Sequence, residues 1–138
     1  MEVVYDTKKE LPSNQLHELF VAVGWSDGLE ESFMLERFNL PFINSTIVIS
    51  AWIDNKLIGC VRVLSDKMFR SIIYDLAVLP KFQNQGVGKE LIKKCIKFYP
   101  DSEWLVETTE NNKKYYEKLG FEVSNNVFLT IPCKRFKI

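Results

Sequence analysis

The sequence has 138 residues, 46% hydrophobic and 26% charged, a balance that suits one buried core and excludes both a disordered chain and a two-domain protein. Lys plus Arg and Asp plus Glu each total 18, so no global basic field exists to hold nucleic acid or anionic lipid, although a zero sum leaves local patches open. No apolar run approaches the roughly 20 residues of a membrane span, and a start carrying Glu2, Asp6 and Glu10 lacks the basic and apolar regions of a secretion signal.

Residues 2–5 read as a short first strand. Ser13 is placed to cap a helix whose apolar positions Leu16, Leu19, Phe20 and Val23 follow helical spacing, ending near Gly24. A second helical stretch follows Asp27, with Phe33, Met34 and Phe38 as its buried face. Residues 46–53 are rich in β-branched side chains, Asp54-Asn55 makes a turn, and residues 57–64 return as the second strand of a hairpin. Residues 72–78 are apolar on both faces and read as a central strand. Pro80 and a glycine-containing loop lead to a strong helix over 88–98. It buries Leu91, Ile92, Cys95 and Ile96, turns Lys89, Glu90, Lys93, Lys94 and Lys97 to water, and stops at Pro100.

A strand follows over 104–108, then a short helix over 111–119 terminated by Gly120. Residues 121–123 and 127–131 give two last strands around Asn125-Asn126. No repeat or linker interrupts the chain, so 1–138 is expected to be one domain. Hairpins combined with one strand–helix–strand crossover indicate an α/β or α+β sandwich on a mixed sheet. Cys60, Cys95 and Cys133 are too scattered and odd in number for a disulfide framework or a zinc site, and each reads as a small buried hydrophobe. The expectation is a soluble protein of a reducing compartment, the cytoplasm, with no metal and no nucleic-acid or membrane partner. His17, the lone histidine, reads as a surface residue of the first helix.

The informative segment is Gln83-Asn84-Gln85-Gly86-Val87-Gly88, between a strand and a helix. Glycines there let backbone amides approach an anion without an intervening Cβ, and the helix N-terminus adds unpaired N–H groups and partial positive charge. A phosphate or pyrophosphate is the natural ligand, against a plain tight turn. No Gly-Lys-Ser/Thr ending makes it a Walker loop, and two glycines fall short of a dinucleotide fingerprint.

Residues 75–91 resemble the acetyl-CoA motif of the GCN5-related N-acetyltransferases (GNAT), with its Gln/Arg-x-x-Gly-x-Gly/Ala signature, and Tyr115-Tyr116-Glu117-Lys118-Leu119-Gly120-Phe121 resembles the family's Phe-Tyr-x-x-x-Gly-Phe segment. The resemblance implies a mostly antiparallel mixed sheet of six to seven strands flanked by helices, with a splayed central strand pair. It implies acetyl-CoA as cosubstrate. The pantetheine arm would lie along the strand carrying Leu76, Ala77 and Val78, pairing with the backbone of Ala77 and Val78. The pyrophosphate would fall on the amides of Gln85, Gly86, Val87, Gly88 and Lys89, within the loop that Gln83 and Asn84 begin. Lys89 or Lys93 reads either as a further phosphate contact or simply as a solvated lysine on an exposed helix face.

A neutral amine would attack the thioester directly. Tyr116 falls at the family's general-acid position, and a phenol suits a thiolate leaving group. The oxyanion would take the Val78 N–H. Asp75 and Glu107, expected on adjacent strands beside the notch, are the alternative bases, each equally readable as a salt-bridged carboxylate. Tyr115 is expected in the core. Many relatives place Asn seven residues before the tyrosine; here that position is Thr109, and Asn111 or Asn112 is left to supply the cofactor contact.

Arg62-Val63-Leu64-Ser65-Asp66, with Asp75-Leu76-Ala77-Val78, is similar to the arylalkylamine and serotonin N-acetyltransferase branch. The acceptor is expected to be the primary amine of a small molecule, in a pocket formed by the first two helices and the hairpin, where Trp25, Phe33, Phe38, Phe42 and Trp52 supply apolar surface; these aromatics read equally as core and do not define the substrate. A catalytically silent acyl-CoA-binding module and a protein or peptide N-acetyltransferase are the alternatives. A homodimer is expected by analogy.

Overall fold

The computed structural model describes residues 2–135. Five strands form one sheet in the order β1 (Val4–Asp6), β2 (Ile47–Ile53), β3 (Lys56–Ser65), β4 (Arg70–Val78) and β5 (Glu103–Val106). The first four run antiparallel, and β4 and β5 run parallel, joined through helix α4 (Val87–Ile96). Helices α1 (Ser13–Ala22), α2 (Ser32–Glu36) and α3 (Leu40–Ile43) lie between β1 and β2 in the chain, and α5 (Lys113–Glu117) follows β5. The β2–β3 hairpin turns on Asp54 and Asn55 at φ 49° and 44°, the doubly left-handed pair of a two-residue type I′ turn, which Asp and Asn tolerate best among residues with a Cβ.

The core divides by face. On one side α4 lays Val87, Leu91, Ile92 and Cys95 on Ile47, Ile49, Val61, Val63 and Ile73. On the other, Leu16, Leu19 and Phe20 of α1 pack with Phe38, Phe42, Val48, Leu57, Cys60 and Ala77. Full burial of a leucine such as Leu91, which is 0% exposed, contributes about 2–3 kcal/mol.

Strand β4 carries a bulge. Arg62 pairs with Tyr74 and Cys60 with Ala77, so Asp75 and Leu76 together oppose Val61, and Asp75 takes φ 51°. The bulge reverses the alternation of side chains: Ile73 faces α4 upstream of it and Val78 does so downstream. It also marks where the sheet opens. The β4–β5 pairing runs from Arg70↔Glu103 to Ile73↔Val106 and ends there, while β4 continues to Val78 with that edge bare.

Several expectations need correction. The first strand is shorter and later than 2–5. Ser13 is the first helical residue rather than a cap, and its hydroxyl accepts the Asn39 N–H at 3.1 Å. The second helical stretch is the short pair α2 and α3, separated by the three-residue turn Arg37-Phe38-Asn39, with Pro41 in the first turn of α3; Phe33 is 45% exposed, not buried. Helix α5 is five residues long. The expected strands 121–123 and 127–131 do not form: residues 120–135 carry no regular structure, so the described sheet has five strands, not six or seven. Cys60 and Cys95 are buried as expected, but Cys133 is exposed.

Candidate active site

Strand β4 ends at Val78, and a 3-10 turn over Pro80–Phe82 feeds the loop before α4. Gln83 Nε2 donates to the Val78 carbonyl at 2.9 Å and Gln85 Nε2 to the Lys81 carbonyl at 3.3 Å, so two glutamines brace the loop. Asn84 (φ 63°) and Gly86 (φ 87°) are left-handed, a conformation that glycine adopts without the Cβ penalty. Gly86 accepts the Glu90 N–H at 3.0 Å, which starts the helix. The amides from Gln85 through Lys89 donate to nothing among the described residues. A run of free donors at the positive end of a ten-residue helix is built for an anion.

The bare edge of β4 lies beside this loop. Leu79 N–H donates to the Ile58 carbonyl on β3 at 2.8 Å. Backbone groups alternate along a strand, so the Val78 amide points the other way, into the opening, as does that of Leu76. The Ala77 carbonyl, by contrast, stands 3.1 Å from where a Cβ on Gly59 of β3 would be. The Ala77 backbone therefore faces β3, contrary to the expectation that it lies open to a pantetheine arm, and Leu76 and Val78 are the residues whose backbone groups turn to the bare edge. The Val78 carbonyl is already held by Gln83, which leaves its N–H as the group on offer.

Helix α5 reaches the same loop through Tyr115, whose hydroxyl would stand 2.7 Å from a Cβ on Gly88. The half-buried Tyr116 ring meets Tyr115 edge to face at 5.2 Å and Phe121 at 5.7 Å. With Val106 and Glu107 it lines a cavity of about 490 Å3. Burial, reinforced by the neighbouring Tyr115, pushes its phenol up to about 12. Such a group keeps its proton at any working pH. Glu107 lies just past β5, exposed and without a hydrogen bond among the described residues.

Asp75 is committed elsewhere. Its carboxylate accepts from Arg62 Nε at 2.5 Å, and the two side chains are only 11% and 18% exposed. The Arg62 guanidinium lies over the rings of Phe42 and Tyr74. Asn112 ends a 3-10 turn over Glu110–Asn112, exposed before α5, with its amide bonded to the Thr109 carbonyl. Lys89 and Lys93 are exposed on α4. Of the aromatics expected around an acceptor, Phe38 and Phe42 are buried, while Trp52 lines a separate cavity of about 660 Å3 at the β1 edge of the sheet, remote from Tyr116.

Three features escaped sequence reasoning. The bulge at Asp75 has only the mild tolerance of Asp for positive φ as a signal. Tyr115 was expected inside but is 41% exposed, with its hydroxyl against the first turn of α4. His17 is not a free surface group: Nε2 lies 2.9 Å from Glu30 Oε1, and Ser26 Oγ donates to Glu30 Oε2, so α1 is tied to the loop before α2.

Residues 44–123 match the acetyltransferase (GNAT) domain family. The chain belongs to the GNAT acetyltransferases. It is 28% identical over 127 residues to an uncharacterized N-acetyltransferase, ycf52, of Pyropia yezoensis, covering 87% of this chain and 70% of that one. It is 26% identical to GCN5-related N-acetyltransferase 2, chloroplastic, of Arabidopsis thaliana, covering 88% of this chain and 54% of the relative. The fold of a GNAT acetyltransferase from Streptococcus pneumoniae superposes with TM-score 0.75 at 22% identity, over 94% of this chain and 98% of that one.

The GNAT fold implies an acyl-CoA cosubstrate, and the free amides from Gln85 to Lys89 beside a bare strand edge fit its diphosphate and its amide-bearing arm. Among the described residues no helix is long and apolar enough to cross a membrane, and no cluster of three or more His, Cys, Asp or Glu is placed to hold a metal.

Proposed function

We propose that this GNAT acetyltransferase moves an acetyl group from acetyl-CoA to the primary amine of a small molecule, by direct attack of the neutral amine. One observation carries the reading. Free amides at the head of α4 adjoin the unpaired edge of β4, and the half-buried Tyr116 packs against the apolar cluster that holds Val78 and Val87. The bound thioester supplies the activated acetyl group.

The chain's own groups take the remaining roles. The amides of Gln85 through Lys89 hold the diphosphate, with Gln83 and Asn84 shaping the loop and exposed Lys89 adding charge. Leu76 and Val78 offer backbone groups to the arm, and the Val78 N–H stabilises the oxygen that gains charge during transfer. Tyr116 donates its proton toward the departing sulfur. A phenol near 12 gives up a proton only as thiolate charge develops, which suits an acid acting late. Glu107 is the better-placed base, because Arg62 already occupies Asp75 and a paired carboxylate is a weaker acceptor. Asn112 is the nearer of two asparagines to α5 and the one we assign to the cofactor.

The residues 62–66 and 75–78 that resemble the arylalkylamine branch make an aromatic amine our first choice of acceptor. The Arg62–Asp75 pair gives both segments a structural reason to occur together. Buried, free Cys60 and Cys95 favour a reducing compartment, the cytoplasm by our reading, with a plastid the alternative that one relative's name raises. The test is thiol release from acetyl-CoA with a panel of arylalkylamines, polyamines and short peptides. Turnover on peptides alone moves the acceptor to proteins; cofactor binding with no turnover on any amine rejects the enzyme reading of this site.

A further inference from the structure

Helix α5 presents two consecutive tyrosines, and consecutive helical residues point about 100° apart. They therefore serve different surroundings. Tyr116 turns toward Phe121 and the cavity it shares with Val106 and Glu107. Tyr115 turns toward α4: a Cβ on Gly88 would stand 2.7 Å from its hydroxyl oxygen and 3.7 Å from Cζ, and 3.8 Å from Val78 Cγ2. The Tyr115 phenol thus bridges from α5 to the second residue of α4, close to where β4 ends at Val78.

Two further facts bear on what that hydroxyl does. It sits against Gly88, whose amide is one of those that donate to nothing, and it forms no hydrogen bond itself among the described residues. It is also an addition, because the family segment that residues 115–121 resemble begins with phenylalanine. A ring alone would meet the packing need at this position, since the contact with Tyr116 is between rings. The hydroxyl is free among the described residues, on a residue that is 41% exposed, and it overlies the glycine of α4 whose missing side chain leaves room for it. Burial pushes the phenol up from its ordinary value, so at working pH it is a donor and carries no charge to repel an anion.

We infer that Tyr115 is a positioning residue whose hydroxyl donates to a phosphate oxygen of the cosubstrate's diphosphate, joining the amides of Gly88 and Lys89 and holding the existing contact between α5 and α4 in place when the cosubstrate binds. The inference rests on the acyl-CoA reading of the loop and goes beyond it. Tyr115 holds the phosphate end and Tyr116 serves the thioester end, so affinity and chemistry are divided between neighbouring side chains of one short helix.

The test compares wild type with Tyr115→Phe on two donors: acetyl-CoA, and S-acetyl-pantetheine, which lacks the diphosphate. Calorimetry should give roughly tenfold weaker acetyl-CoA binding in the variant, the scale of one hydrogen bond to a charged group. Single-turnover kcat at saturation should be unchanged. On S-acetyl-pantetheine the two proteins should have the same KM and kcat, and their melting temperatures should agree. Equal affinity for acetyl-CoA, or an equal loss on both donors, overturns the role of the Tyr115 hydroxyl while leaving the loop's role intact. Failure of the wild type to bind acetyl-CoA at all overturns the reading of the loop instead.

Discussion

Gly86 is the most direct place to ask whether the loop holds a diphosphate. Its φ of 87° admits Asn and Asp better than other side chains, and a Cβ built on it meets nothing within 4 Å. Gly86→Asp and Gly86→Asn therefore impose nearly the same backbone cost, about 1 kcal/mol, and the same volume. They differ in charge. At about 5 Å from a phosphate and an effective dielectric near 20, like charges repel by about 3 kcal/mol, a little over two orders of magnitude in affinity. The assay is calorimetric titration of acetyl-CoA into both variants at low and high salt, with melting curves to check folding. The aspartate variant should bind roughly a hundredfold more weakly than the asparagine variant, and the gap should narrow as salt rises. Equal affinities in two folded variants would place the diphosphate somewhere other than this loop.

Removing only the hydroxyl of the catalytic candidate, Tyr116→Phe, should lower kcat on the best amine by about 10²-fold with little change in acetyl-CoA affinity; steady-state kinetics at several pH values checks it. Because burial holds that phenol near 12, no basic limb should appear in the wild-type rate between pH 8 and 10, and a limb in that range would contradict the assigned environment. Glu107→Gln should reduce kcat at least tenfold without moving the melting temperature, whereas Asp75→Asn should chiefly destabilise, by about 1–3 kcal/mol, by leaving the partly buried Arg62 short of its partner; the reverse pattern would exchange the two roles. Burial alone would raise the Glu30 carboxyl, but hydrogen bonds from Ser26 and His17 outweigh it and hold the group below its ordinary value. A depressed carboxyl contributes stability above its unfolded value and loses it as pH falls through the folded one. The melting-temperature advantage of wild type over Glu30→Gln should therefore be full at pH 6 and fade on acidification below about 4.5; an advantage that persists in acid would mean the carboxylate charge is not involved.

What the sequence made legible was what is locally determined. Helix α4 follows from its apolar spacing, the β2–β3 turn from an Asp-Asn pair that tolerates positive φ, and the anion loop from glycines at a strand-to-helix junction. What it hid depends on partners distant in the chain. Residues 127–131 have strand-forming side chains, yet a strand needs a neighbour, and Val127, Leu129 and Ile131 stand 83–91% exposed without one. Asp75 looked as good a base as Glu107 until Arg62, 13 residues earlier, was found on its carboxylate. Tyr115 and Tyr116 are the same residue type side by side, and only the packing of α5 on α4 separates them. The loop was thus readable as a binding element, while the division of labour around it was not.

The extra residue in β4 acts as a gearshift within one strand. Upstream of Asp75 the strand is enclosed on both edges, and odd-numbered Ile73 faces α4; downstream, even-numbered Val78 does, and one edge is bare. A strand that kept its parity would turn the amide of Ala77 outward and that of Val78 toward β3. The bulge lets a single segment meet two incompatible demands, close pairing at one end and an offered amide at the other. It does so without an interrupting loop, so the offered amide inherits the rigidity of the sheet behind it.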